Sequence, residues 1–174
     1  SMVLAATRGC EIFEILSKDG TNVHGAGKGP IVQGHCIDQL WGLDVNPQKS
    51  SEFVTVGDDY TVRIWNRVEK KQVRMVKLDC MSRSACYSPD GNYIAVGCGG
   101  DIEGKEKDGP VGGFKILQDE DLAVAAEGRD SRQWISVIKY SADGKVLAVG
   151  SSDNKVYFYD PEDGYRLMNQ FKKS

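Results

Sequence analysis

Apolar and polar residues alternate along most of this chain in short runs, and turn-forming residues separate the runs. A period of two puts successive side chains on opposite faces of an extended strand. Thr61-Val-Arg-Ile-Trp-Asn66, Gly113-Phe-Lys-Ile-Leu117 and Lys155-Val-Tyr-Phe-Tyr-Asp160 show it most clearly. β-Branched and aromatic residues fill the runs, and Pro-Asp-Gly or Asp-Asn turns punctuate them. No stretch carries the period of an amphipathic helix. The pattern predicts an all-β protein of short antiparallel strands.

The runs recur as a set. Tyr87-Ser-Pro-Asp-Gly-Asn-Tyr-Ile-Ala-Val-Gly97 and Tyr140-Ser-Ala-Asp-Gly-Lys-Val-Leu-Ala-Val-Gly150 agree at seven of eleven positions. Val45-Asn-Pro-Gln-Lys49, followed by Phe53-Val-Thr-Val-Gly57, is a looser copy. Each copy leads into one of the three strands above, whose ends Trp65, Leu117 and Tyr159 lie 52 and 42 residues apart. The longer interval holds an insertion, Asp101 to Pro110, rich in Gly and charge and expected to form a mobile hairpin. Each repeat reads as four strands. The first has Leu40–Val45, Phe53–Val56, Val62–Trp65 and Gln72–Leu78. The second has Ser84–Tyr87, Tyr93–Val96, Gly113–Leu117 and Leu122–Ala126. The third has Ile135–Tyr140, Val146–Val149, Val156–Tyr159 and Tyr165–Gln170. Residues 3–33 read as three further strands.

Gly34-His35, then Asp59, then Trp65-Asn66, resembles the signature of the WD-repeat β-propeller family. Asp59, in the turn between second and third strands, would accept a proton from His35. His35 would bond Thr55, whose hydroxyl reaches the Trp65 indole. Replacing Asp59 by Ala is then expected to cost about 1–3 kcal/mol. The other repeats lack Gly-His, Leu117 and Tyr159 stand in for Trp, and only Asp153 keeps the turn acid. The resemblance implies a propeller fragment of about three four-stranded antiparallel blades plus a partial one. The expected units are a tag remnant at 1–2, a partial blade at 3–33, and blades at 34–80, 81–128 (with the insertion at 101–110) and 129–174.

The chain is more specifically similar to the echinoderm microtubule-associated protein-like family. Ile31-Val-Gln-Gly-His35 with Leu40-Trp-Gly-Leu43 carries the resemblance, as do Ala6-Thr-Arg-Gly9 and Tyr87-Ser-Pro-Asp-Gly91. So do Ile135-Ser-Val-Ile-Lys-Tyr-Ser141, Leu147-Ala-Val-Gly-Ser-Ser-Asp-Asn154 and Val156-Tyr-Phe-Tyr159. It implies a non-enzymatic module, in the cytoplasm on the microtubule cytoskeleton, that binds tubulin or microtubule-associated proteins. A general protein–protein scaffold or peptide-reading propeller is the alternative.

Composition narrows the rest. Of 174 residues, 40% are hydrophobic and 27% charged, enough to bury a core, and the net charge of −3 argues against nucleic acid or an anionic membrane. No apolar run approaches the roughly 20 residues that span a bilayer, and no secretory signal is read at the start. Five cysteines without a CxxC pair, with only two histidines, predict reduced cytosolic thiols and no zinc site. His35, Asp59 and Thr55 resemble a catalytic triad only on paper, because alternation buries them inside a blade. Cys98-Gly-Gly100 and Gly109-Pro-Val-Gly-Gly113 lack the Lys-Ser/Thr of a phosphate loop. Asp101, Glu103, Glu106 and Asp108 lack the spacing of a calcium loop. No catalytic residue, metal or cofactor is expected.

Two features suggest contact with a partner. Arg67, Lys70, Lys71, Arg74 and Lys77 cluster around the outer strand of the first repeat. They would meet an acidic surface such as a tubulin tail, or guard a free edge against aggregation. Trp134 lies in the loop leading into the third repeat, as a hot spot or as packing between blades. An arc of this size cannot close a ring, so the fragment is expected to self-associate, most simply as a two-fold dimer.

Overall fold

The computed structural model describes residues 2–6, 11–21, 32–35, 39–99 and 112–172. Strands β1 (Met2–Ala6), β2 (Glu11–Leu16) and β3 (Val32–Gln33) form one antiparallel sheet in that order. The first four-stranded sheet has β4 (Leu40–Val45), β5 (Glu52–Gly57), β6 (Thr61–Asn66) and β7 (Lys71–Lys77). The second has β8 (Ser82–Tyr87), β9 (Tyr93–Cys98), β10 (Gly113–Gln118) and β11 (Val124–Gly128). The third has β12 (Ile135–Tyr140), β13 (Leu147–Ser151), β14 (Lys155–Asp160) and β15 (Arg166–Lys172). Strands pair antiparallel in chain order within each sheet, as the repeats predict for propeller blades. A one-turn 3₁₀ helix, Pro161–Asp163, joins β14 to β15.

The three four-stranded sheets stack face to face, with β8 packed between β4 and β12. The Leu-Trp-Gly-Leu element explains part of this closeness. A Cβ on Gly42 would lie 2.6 Å from Val56 Cγ2 and 2.8 Å from the Ala85 nitrogen, so only glycine lets β4 approach β8. Two apolar clusters fill the layers. Val54, Val56, Val62 and Ile64 meet Ile94, Val96 and Leu117 between the first and second sheets. Phe114, Ile116, Ile138, Leu147 and Tyr159 fill the next layer.

Two predicted outer strands begin later than their sequence suggests. Leu122 and Tyr165 sit in left-handed turns, with φ of 60° and 61°, as Lys70 does at 52°. That conformation costs a non-glycine residue about 1–2 kcal/mol. Leu122 offsets it by burying its side chain to 2% exposure, worth about 1.5–3 kcal/mol.

The cysteines also depart from expectation. The structure joins Cys80 and Cys98 in a disulfide, with Cα atoms 5.8 Å apart. Pairing of Ser82 with Cys98 brings the nearby Cys80 alongside. Cys86 is free and buried, and burial pushes its thiol up to about 12. His24, Cys10, Cys36 and the insertion at 101–110 lie outside the described residues.

Candidate functional site

The alternation of β5 and β6 brings Thr55, Arg63 and Trp65 into one layer of the first blade, and the turn between the strands supplies Asp59. His35 Nδ1 lies 2.9 Å from Asp59 Oδ1, and His35 Nε2 lies 2.7 Å from Thr55 Oγ1. Trp65 Nε1–H donates to Thr55 Oγ1 at 2.7 Å. The donors run in one direction when His35 carries its proton on Nδ1: indole to hydroxyl, hydroxyl to imidazole, imidazole to carboxylate. The His35 and Asp59 side chains are buried, at 8% and 2% exposed.

Sequence reading missed a fifth member. Arg63 Nη2 donates to Asp59 Oδ2 at 3.0 Å, and Arg63 Nε donates to Thr61 Oγ1 at 2.9 Å. Thr61 Oγ1 in turn donates to Asp59 at 2.7 Å. The signal was available, since Arg63 shares a strand face with Trp65. Burial acts most strongly on the Asp59 carboxyl and would raise its pKa, but bonds from His35 and Thr61 outweigh it and leave it lowered. The third blade has a counterpart. Tyr157 OH donates to Asp153 Oδ2 at 2.6 Å, and Tyr159 OH donates to Asp130 Oδ2 at 3.1 Å.

The basic residues of the first blade do not form one patch. Arg67, Lys70, Lys71 and Lys77 are exposed, with Lys71 paired to Glu69. Arg74 projects from the other face of β7 into the gap between sheets. Its Nη2 lies 2.6 Å from Glu52 Oε2 and 3.2 Å from Asp119 Oδ1. Alternation along β7 separates it from Lys77, so it belongs to blade-to-blade contacts rather than an outer surface.

Trp134 does join a surface cluster, with two partners that sequence reading did not select as site residues. Register shifts at Leu40/Gly42 and Ser82/Ser84 make Trp41 and Arg83 the extra residues of bulges at one end of the inner strands. Such bulges re-aim a side chain. The Arg83 guanidinium sits 4.4 Å from the Trp41 ring centroid and 5.3 Å from that of Trp134. Trp41 and Trp134 remain 46% and 39% exposed. Asp58 fixes the stack from beneath, accepting from Trp41 Nε1 at 2.9 Å and lying 3.3 Å from Arg83 Nη2. Among the described residues, Arg83 Nε is buried without a hydrogen-bond partner, and no group of three or more His, Cys, Asp or Glu is placed to hold a metal ion. No described helix is long and apolar enough to cross a membrane.

Residues 40–174 match the family described as echinoderm microtubule-associated protein second beta-propeller. The chain belongs to this family. It is 34% identical over 143 residues to echinoderm microtubule-associated protein-like 2 of Mus musculus, covering 82% of this chain and 20% of that protein. It is 30% identical over 172 residues to echinoderm microtubule-associated protein-like 1 of Homo sapiens, covering 99% and 18% respectively. Echinoderm microtubule-associated protein-like 3 of Homo sapiens is 31% identical over 133 residues, covering 76% and 13%. The chain thus spans a fifth or less of the length of these curated relatives.

Proposed function

We propose that this chain is a non-enzymatic WD-repeat interaction module, attaching its parent protein to tubulin or microtubule-bound partners in the cytoplasm. The observation that carries the reading is the Arg83 guanidinium held between two half-exposed tryptophan rings on a propeller of a family named for microtubule association. Tryptophan and arginine dominate protein-interface hot spots, and a stacked guanidinium is fixed in advance of binding. The exposed Arg67, Lys70, Lys71 and Lys77 add positive charge that would steer an acidic segment. His35, Thr55, Asp59 and Trp65 serve the blade rather than the partner. The blade units at 34–80, 81–128 and 129–174 each contain one four-stranded sheet.

Co-sedimentation with polymerised tubulin tests the reading. Full-length protein pelleting with polymer, severalfold less in a folded Trp134→Ala variant, supports it. No pelleting above background sinks it. Self-association rests on separate surfaces. Val137, Val156, Met168 and Phe171 of the third sheet are 50%, 39%, 45% and 60% exposed. Light scattering at several concentrations should show a dimer, and a monomer throughout would defeat that expectation.

A further inference from the structure

The gap between the first and second sheets is closed by the protein's own cations. Lys49 Nζ lies 2.8 Å from Asp119 Oδ2, and Arg74 bridges Glu52 and Asp119. The Tyr87 hydroxyl donates to the same Asp119 carboxylate at 3.3 Å. Gln48 Nε2 reaches the Pro89 carbonyl from the neighbouring turn at 2.9 Å.

The gap between the second and third sheets repeats the backbone plan without these ions: by strand register Tyr93 stands where the first gap has Glu52, and Pro161 where it has Asp119. Tyr140 occupies the repeat position of Tyr87, and Ser141-Ala-Asp-Gly144 that of Ser88-Pro-Asp-Gly91. Arg74 pairs with Ile64, the fourth residue of β6, and Ala126 pairs with Ile116, the fourth residue of β10. Ala126 therefore stands where the first blade has its guanidinium. A cavity of about 470 Å³ remains, with no Lys or Arg among the described residues that line it. Tyr93, Tyr140 and Tyr165 contribute its aromatic lining, and Asp90, Asp143 and Glu162 its acidic groups.

The lining suits a cation. The Tyr140 and Tyr165 hydroxyls bond each other at 2.7 Å, which fixes both rings. Burial raises both phenols, so they stay neutral, and neutral phenol rings attract a cation. Asp143 is held ionised by bonds from Ser141 and the Lys145 amide. At Asp90 burial opposes ionisation, and bonds from Ser88 and Asn92 outweigh it.

We propose that this cavity takes an arginine side chain from a basic segment of a partner protein, supplying from outside the guanidinium that Arg74 supplies in the neighbouring gap. The site is remote in chemistry from an acidic tubulin tail, and its test is independent of tubulin pelleting. Titration of the ¹⁵N-labelled chain with capped arginine amide reads it directly. The expected result is saturating shifts confined to amides around the cavity, such as Ala126, Gly144 and Tyr165, and absent with capped norleucine amide. Ala126→Arg should fill the cavity and weaken binding at least about tenfold. Should that variant fail to fold, Glu162→Lys, on the exposed 3₁₀ turn, should weaken it severalfold. Absence of saturating shifts, shifts spread over the surface, or binding untouched by a folded variant would overturn the proposal.

Discussion

The first and third blades meet one demand with different chemistry. In each, an acid in the turn between second and third strands accepts from a side chain four residues later. Asp59 takes the Arg63 guanidinium at 3.0 Å, and Asp153 takes the Tyr157 phenol at 2.6 Å. The first pair is ionic and almost waterless, with side chains 3% and 2% exposed. The third pair holds one charge, on a half-buried carboxylate. The turn thus requires an acceptor in a fixed place, while the donor is interchangeable. A blade loses the Gly-His and Trp signature without losing satisfaction of its buried polar groups.

The sharpest way to break this comparison is to remove the first acid. Asp59→Ala removes the ion pair to the buried Arg63 guanidinium as well as the acceptor for His35, so the cost rises from the 1–3 kcal/mol expected for His35 alone to about 3–5 kcal/mol. Urea denaturation measures it. Replacing Arg63 by Met in the same protein should recover most of the loss, because the buried charge that Asp59 paired is then gone. A cost no larger than that of the matching change in the third blade would erase the distinction between ionic and neutral solutions.

That matching change is Asp153→Ala. It leaves a neutral phenol unbonded and frees the amides of Lys155 and Arg132, at about 1–2 kcal/mol by the same denaturation measurement. Partial solvent access lets water replace part of what is lost.

These two acids also show what was legible in the sequence. The twelve strands of the three complete blades followed from alternation and repeated turns, because period-two burial and Asp-Gly punctuation are local properties. His35, Thr55, Asp59 and Trp65 were expected from the resemblance to the WD-repeat signature, not from alternation. Arg63 was passed over as an ordinary polar position of an alternating strand, although its face was already assigned to the interior. Tyr157 was hidden because a tyrosine in a strand reads as packing. Arg74 was grouped with surface lysines by proximity in sequence, and only the ladder register separates their faces. The Trp41–Arg83–Trp134 stack was less accessible still. It joins residues from three repeats through bulges, which shift a side chain's direction without any mark in the alternation.

Acid sharpens the comparison further. The Asp59 and Asp153 carboxyls are both lowered in the folded chain, bonds from His35 and from Tyr157 respectively prevailing over burial. A lowered folded pKa gives stability that is complete above the unfolded value near 3.9 and is lost as pH falls through the folded one. Thermal melts should therefore hold steady from neutral pH to about pH 5 as far as these groups are concerned, then fall below about pH 4. Asp153→Asn should flatten part of that acid limb and leave the neutral plateau lower. An acid limb unchanged in Asp153→Asn would remove Asp153 from the linkage.

The smallest effect isolates the interchangeable donor. Tyr157→Phe keeps the buried ring, which is 1% exposed, and removes only the hydroxyl. The Asp153 carboxylate retains its bonds from the Lys155 amide and the Ser131 hydroxyl. The expected cost is about 0.5–1.5 kcal/mol. Because burial and Asp153 together push the Tyr157 phenol up to about 12, the hydroxyl stays protonated, and the cost should not change between pH 6 and pH 9. Combining Tyr157→Phe with Asp153→Ala should cost less than the sum of the two, since each removes the same bond. Strict additivity would mean that Tyr157 serves the third blade by packing alone, and that Asp153, unlike Asp59, has no dedicated donor.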